Sequence, residues 1–307
     1  MAERAGMETP LCTAKRWLSG AECGESGLAR LEAGGGFFLR SHPQHACPLI
    51  RVMPDVALQT LSDHIATRLR IGELPDYPGA MNGLQLQNRG GRIVRLLAAV
   101  DASLPVIWKA AEFPGPSLLI VHHGLFWKGA QMITGAAFEK LRIALDADLA
   151  LYSAHLPLDV HPVLGNNACL AAALGFRKTT AFFDWKGMPL GLRATVNLTR
   201  DALTARLAKA VGGPVHVCPG GPERIRQVGL ITGGAGSEVS AIAATGVDTF
   251  ITGEGPHWSY PAAEEAGINV LYGGHYATET FGVKALAAHL AAAFKLPWEF
   301  IDHPTGL

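Results

Sequence analysis

The run from Ile120 to Trp127, IVHHGLFW, closes an apolar stretch with two adjacent histidines, His122 and His123. One histidine in such a place is usually a hydrogen-bonded core residue, but two in succession must each find a partner once water is removed. Two further segments share the pattern LY-x-x-H-x-x-x-acid. LALYSAHLPLDV places His155 four residues before Asp159, and INVLYGGHYATET places His275 four residues before Glu279. Imidazole suits zinc, iron, nickel or copper, while carboxylates suit harder ions and can bridge two of them. These residues offer more donors than one tetrahedral ion needs. The economical arrangement is two ions sharing a carboxylate, about 3.5–4 Å apart as in two-metal hydrolases.

Residues so far apart in the chain need a fold that collects them. VALQTLSDHIATRLRI has helical spacing, PDYPGAMNGLQLQN reads as a turn-rich link, and RIVRLLAAVDAS reads as a strand ending in a polar turn. LPVIWKAAEF starts a helix, SLLIVHHG is a second strand, AFEKLRIALDADLA is a helix, and LALYSAH opens with a third strand. Alternating strand and helix predicts an α/β fold with layered, mostly parallel sheets, whose ligands sit beyond the carboxyl ends of the strands. His122, His123 and His155 all fall at such ends.

The chain also echoes itself. Besides the two LY segments, LLIVHHGLFW lines up with TFITGEGPHW through Trp127 and Trp258, and LLAAVDAS lines up with GLITGGAGS. Matches in this order predict two similar α/β units, about 53–165 and 225–307, related by a pseudo-twofold and joined by a connecting segment, 166–224. A cleft between them would gather His122, His123, His155, Asp159, His275 and Glu279, with Glu254 and His257 nearby. Glu254, His257 and His155 are the candidates for acid/base work.

Other residues take quieter readings. Asp101 reads more readily as a helix cap than as a partner of a histidine. Asn166 and Asn167 read as caps of the following helix, Trp127 and Trp258 as packing beneath the repeats, His161 as a loop residue and His289 as a helix-face residue. GGAGS (233–237) reads as a tight turn before it reads as a phosphate cradle, and no G-x-x-x-x-G-K-[ST] occurs.

Composition narrows the classes. Of 307 residues 49% are hydrophobic and only 17% charged, against about 25% in an average domain. That balance suggests surface buried between subunits. Lysine plus arginine, 26, equal aspartate plus glutamate, 26, so nucleic acid is not favoured. No apolar run reaches the roughly 20 residues of a membrane span. Five scattered cysteines without C-x-x-C indicate a reducing, cytoplasmic compartment. Residues 1–52 show no sustained period and read as a disordered extension, with HPQHAC (His42, His45, Cys47) a weak metal motif and a domain starting near Met53.

VHHGLFWKG, HLPLD, LGNNA, the ITGE run and GGHYATE, in that order over about residues 54 to 307, resemble the Nif-three-like dinuclear metal-centre family, often labelled GTP cyclohydrolase I type 2 homologues. The likeness is to the short bacterial branch, which lacks an inserted domain. The resemblance implies a two-domain α/β fold and a ring-shaped homohexamer. It also implies two divalent ions (zinc, iron or manganese) held by His122, His123, Asp159, His275 and a bridging Glu279, with His155 on the ions or just behind their ligands. The expected function is a metal-dependent hydrolase acting on a nucleotide-like or phosphorylated small molecule. The alternative is a non-enzymatic protein for metal storage or delivery, or an adaptor ring that binds a partner.

Overall fold

Residues 55–307 are described by the structure, a computed structural model. The expectations for residues 1–52, HPQHAC among them, lie outside the described residues. A short ribbon of β1 (Val56–Ala57) and β3 (Arg92–Ile93) opens the fold. The first sheet follows, with β4 (Arg95–Asp101), β5 (Ser117–His123) and β6 (Leu149–Ser153) parallel at its centre. Beyond β6 lies antiparallel β2 (Gly83–Leu86), and β13 (Trp298–Phe300) pairs in parallel with β4.

Successive residues of a strand face opposite ways, so the apolar runs of β4 and β5 supply two cores. Leu96, Leu118 and Ile120 meet α1 (Leu58–Leu69) and α9 (His275–Phe294) through Leu61, Ile65, Leu286 and Leu290. Leu97, Leu119 and Val121 meet α2 (Leu104–Ala111) and α3 (Ala136–Asp146) through Val106, Ile107 and Ala144. Both faces are covered, which is why these strands are apolar throughout rather than alternating.

The second sheet repeats the plan. Its centre is parallel β10 (Arg224–Leu230), β11 (Thr249–Thr252) and β12 (Asn269–Tyr272), with antiparallel β9 (His216–Pro219) beyond β12. The hairpin of β7 (Thr179–Trp185) and β8 (Met188–Thr199) pairs on the other side of β10. One face packs against α5 (Asn166–Ala173) and α6 (Arg200–Val211), the other against α7 (Val239–Ala243) and α8 (Ser259–Ala266). In each sheet the third parallel strand, β6 or β12, leads to the LY-x-x-H histidine and carries an antiparallel neighbour.

Three readings need correction. The link 75–88 contains β2, whose four residues are all half-buried and so lack a clean alternation. Residues 166–224 are no connector, because β7, β8 and β9 from this span are strands of the second sheet. Nor are the units consecutive in sequence: α9 leaves the second sheet at His275 and buries Val283, Leu286, Ala287 and Leu290 under the first, which β13 then joins. Among the described residues no helix is long and apolar enough to cross a membrane.

Candidate metal centre

Every histidine of interest leaves the carboxyl end of a parallel strand, where ligands of α/β sheets collect. β5 ends in His122 and His123. β6 leads to His155 and then to the single turn α4 (Leu156–Asp159), which ends in Asp159. β12 leads to His275, the first residue of α9, and Glu279 follows one turn later on the same helix face.

The side chains converge. His122, His123 and His155 form one group, and His123, His275 and Glu279 a second, each with its donor atoms within 4.8 Å of one another. Glu279 sits at the centre. Its Oε1 is 3.1 Å from His275 Nε2 and 3.5 Å from His122 Nε2, and its Oε2 is 3.4 Å from His123 Nε2. Asp159 presents Oδ2 to His122 Nε2 at 3.4 Å, while its Oδ1 receives the Asn166 amide at 2.7 Å.

All four imidazoles are held from behind through Nδ1. His122 donates to the Ala154 carbonyl at 2.9 Å, His123 to Asp101 at 2.8 Å, His155 to Asp76 at 2.8 Å and His275 to Glu254 at 3.0 Å. This fixes each ring and turns Nε2 of His122, His123 and His275 toward Glu279, the arrangement in which histidines hold metals. His122 Nε2 and Glu279 Oε2 are buried without a hydrogen-bond partner. Such orphaned polar atoms suit a cation between them, so the residues fit a metal ion.

Electrostatics agree. Burial opposes charge on His122, yet the Asp159 and Glu279 carboxylates prevail and hold its imidazole well above the ordinary value. Burial likewise opposes charge on His275, but Glu279 and Glu254 push it up to about 9. Glu279 is held well below the carboxylate range, because His122, His275 and His123 outweigh the cost of its burial. An ionised carboxylate kept out of water calls for positive charge, and a divalent cation would supply it.

Some neighbours depart from their local sequence reading and others keep it. Asp101 orients His123, and the cap of α2 is Ser103. Asn166 and Asn167 cap nothing; buried, they brace Asp159, with Asn167 also accepting the Thr232 N–H at 2.9 Å. GGAGS is a tight turn of another purpose: Gly233 has φ +72°, and a Cβ there would collide with Glu279 Oε1. Glu254 sits behind His275, whereas His257 is exposed and lines a second hollow with Ser259, Tyr272 and that same Glu254. Trp127 and Trp258 are 42% and 51% exposed rather than packed beneath the strands. His161 is a loop residue whose Nδ1 accepts the Val163 and Leu164 N–H groups, and His289 stacks on His64.

Sequence reasoning missed Asp76, which takes His155 Nδ1 and the Leu156 N–H from 79 and 80 residues away. It also missed Lys140, a half-buried cation in a cavity of about 480 Å³ that borders His123 and His275. Burial pushes the Lys140 ammonium below its usual range.

Loss of an outer partner is expected to weaken metal binding without unfolding the protein. Asp101→Ala and Asp76→Ala free the His123 and His155 rings, and each is expected to lower metal affinity about 10–100-fold. Competition against a chromophoric chelator measures this. Parental affinity in both variants would show that ring orientation is immaterial here.

Known proteins share this architecture. The family model of Duf34/NIF3 (NGG1p interacting factor 3) matches residues 59–305. A protein of Deinococcus radiodurans named GTP cyclohydrolase 1 type 2 homolog is 44% identical over 241 residues, covering 78% of this chain and 90% of that one. A protein of the same name from Halobacterium salinarum is 40% identical over 245 residues, covering 78% and 95%. The crystal structure of a Thermus thermophilus protein superposes with a TM-score of 0.74 at 39% identity, covering 82% of this chain and 100% of that one. With nearly all of its described length matched, the chain belongs to the Duf34/NIF3 family.

Proposed function

We propose that this protein is a metal-dependent hydrolase of a nucleotide-like or phosphorylated small molecule, with two divalent ions at the histidine cluster. The observation that carries the reading is the buried Glu279 with three imidazole Nε2 atoms at 3.1, 3.4 and 3.5 Å, each ring held from behind. His122, His123, Asp159 and His275 would hold the ions and Glu279 would bridge them, with His155 completing the first group of donors. Nitrogen-rich donors with carboxylates favour zinc, iron or manganese over magnesium alone. Bound there, such ions polarise a carbonyl or phosphoryl oxygen and lower the pKa of water.

The chain's own residues supply the rest. Asp101, Glu254 and Asp76 fix the rings. Lys140 gives the larger cavity a cation for an anionic substrate group. Cavities of about 480 and 240 Å³ border the cluster on two sides, and that room favours substrate turnover over a closed storage site. The name carried by the relatives, GTP cyclohydrolase 1 type 2 homolog, agrees with a nucleotide-like substrate.

A ring of identical subunits, six by family resemblance, belongs to the same reading. Its support is α3, which buries only Ala144, and the apolar segment before it, where Met132 and Ile133 are 85% and 59% exposed. A solution mass of one chain by light scattering would remove the ring.

The test is elemental analysis of protein purified without added metal, joined to a screen of phosphoesters and nucleotides for hydrolysis. About two ions per chain and chelator-sensitive turnover are expected. Fewer than one ion would remove the metal centre, and a full complement without turnover would favour storage or delivery.

A further inference from the structure

Three large aromatic side chains stand around the smaller cavity. Tyr77 comes from the loop before β2, Trp127 from the loop after β5, and Trp185 from the tip of the β7–β8 hairpin. Their ring centroids form a chain that ends on the histidines. Tyr77 lies 5.0 Å from Trp185 and 6.3 Å from Trp127, and Trp127 lies 4.6 Å from His155 and 5.4 Å from His123. The planes are tilted by 45° to 66°, so the rings make a corner and not a closed stack.

The corner is rigid and open. A Cβ on Gly79 would strike the Trp127 carbonyl, so the Tyr77 and Trp127 loops are in backbone contact. Trp185 is fixed by a two-residue turn: Trp185 pairs with Met188, and Lys186 and Gly187 take φ +54° and +81°. Yet Tyr77 is 48% and Trp127 42% exposed. Large rings held in place but left half in water form a surface ready for another ring. Lys186 Nζ stands 4.3 Å over the Trp185 ring and 5.9 Å over Tyr77, which puts a cation at the rim. Ser237 and Glu238 also line this cavity and give it polar groups for a ring edge.

We infer that Tyr77, Trp127 and Trp185 form a stacking wall that selects, for the candidate metal centre, a planar nitrogen heterocycle of about purine size bearing an anionic group. The inference rests on the proposed hydrolase reading and narrows its substrate class. The ring lies in the aromatic corner, its edge meets Ser237 and Glu238, and its anionic group lies within reach of Lys186 or the ions. An aliphatic or sugar phosphate has the anion without the flat face and gains nothing from the corner.

The test compares GMP with ribose phosphate on the full chain by calorimetry, with metal and with chelator, and with metal content measured on each sample. Stacking of a base on aromatic side chains gives about tenfold or more in affinity, so GMP is expected to bind at least about tenfold more tightly than ribose phosphate. Trp185→Ala and Tyr77→Ala are each expected to shrink that gap while leaving ribose phosphate affinity and metal content unchanged. Equal binding of the two ligands by the parent protein, undetectable binding of both included, overturns the wall, as does a gap that survives both substitutions. Absence of metal would defeat the hydrolase reading alone, because the gap measured under chelator still decides the wall.

Discussion

Glu279→Ala protein is expected to emerge from purification almost free of metal, while His122→Ala retains part of its complement. Glu279 Oε1 approaches His275 and His122 and Oε2 approaches His123, so this one side chain of the second group also reaches His122 of the first. His122 contributes to one group only. Outer partners of metal ligands are worth about 10–100-fold in affinity, and a bridging carboxylate should exceed the top of that range for both ions. Glu279→Gln keeps the volume and drops the charge, so it separates loss of packing from loss of a ligand; it too should lose both ions. Elemental analysis beside circular dichroism reads the outcome. Equal losses in Glu279→Ala and His122→Ala, with both proteins folded, would end the bridging assignment.

What could be read from the sequence was what local rules govern. The strand ending in His122-His123 is legible because β5 is buried on both faces and its apolar run is unbroken. The H-x-x-x-acid spacing is legible because four residues span about one helical turn, and that holds for Glu279 on α9. The echo is legible in the three parallel strands of each sheet, but chemistry does not follow it. Where the first copy has His122-His123, the second has Gly253-Glu254, and Glu254 supports His275 instead of facing the centre. Local rules fail where tertiary demand overrides them. Asn166 and Asn167 sit at the start of a helix and look like caps, yet the buried Asp159 claims them, Asn166 donating to its carboxylate and Asn167 to its backbone carbonyl. Asp76 is polar in a turn-rich stretch, as such residues usually are, and nothing local ties it to a histidine 79 residues away. The span 166–224 hid three strands because β7 and β8 are largely half-exposed and never become continuously apolar.

Metal removal is expected to lower the apparent midpoint of thermal unfolding by about 10 °C or more, and to act first where the two sheets meet. The candidate ligands come from both sides of that meeting. His122, His123, His155 and Asp159 follow strands of the first sheet, and His275 and Glu279 open the helix that leaves the second. Ions that bind only the folded chain stabilise it by about 4 kcal/mol each at a thousandfold excess over Kd. For a domain of this size that is worth roughly 2–4 °C per kcal/mol, hence the figure for even one ion. The cores of the two sheets do not contain the site: Leu96, Leu118 and Ile120 pack in one cluster and Val228, Leu230 and Ile251 in another. Chelation should therefore leave the amides of β4, β5, β10 and β11 protected from hydrogen exchange. It should speed exchange in the one-turn helix Leu156–Asp159 and the first turn of α9, whose ends the proposed ions would tie together. Melting curves and exchange maps of the same protein, with metal and after verified removal, measure both effects. An unchanged midpoint, or exchange that rises evenly over both sheets, would show that the ions do not join these two parts of the fold.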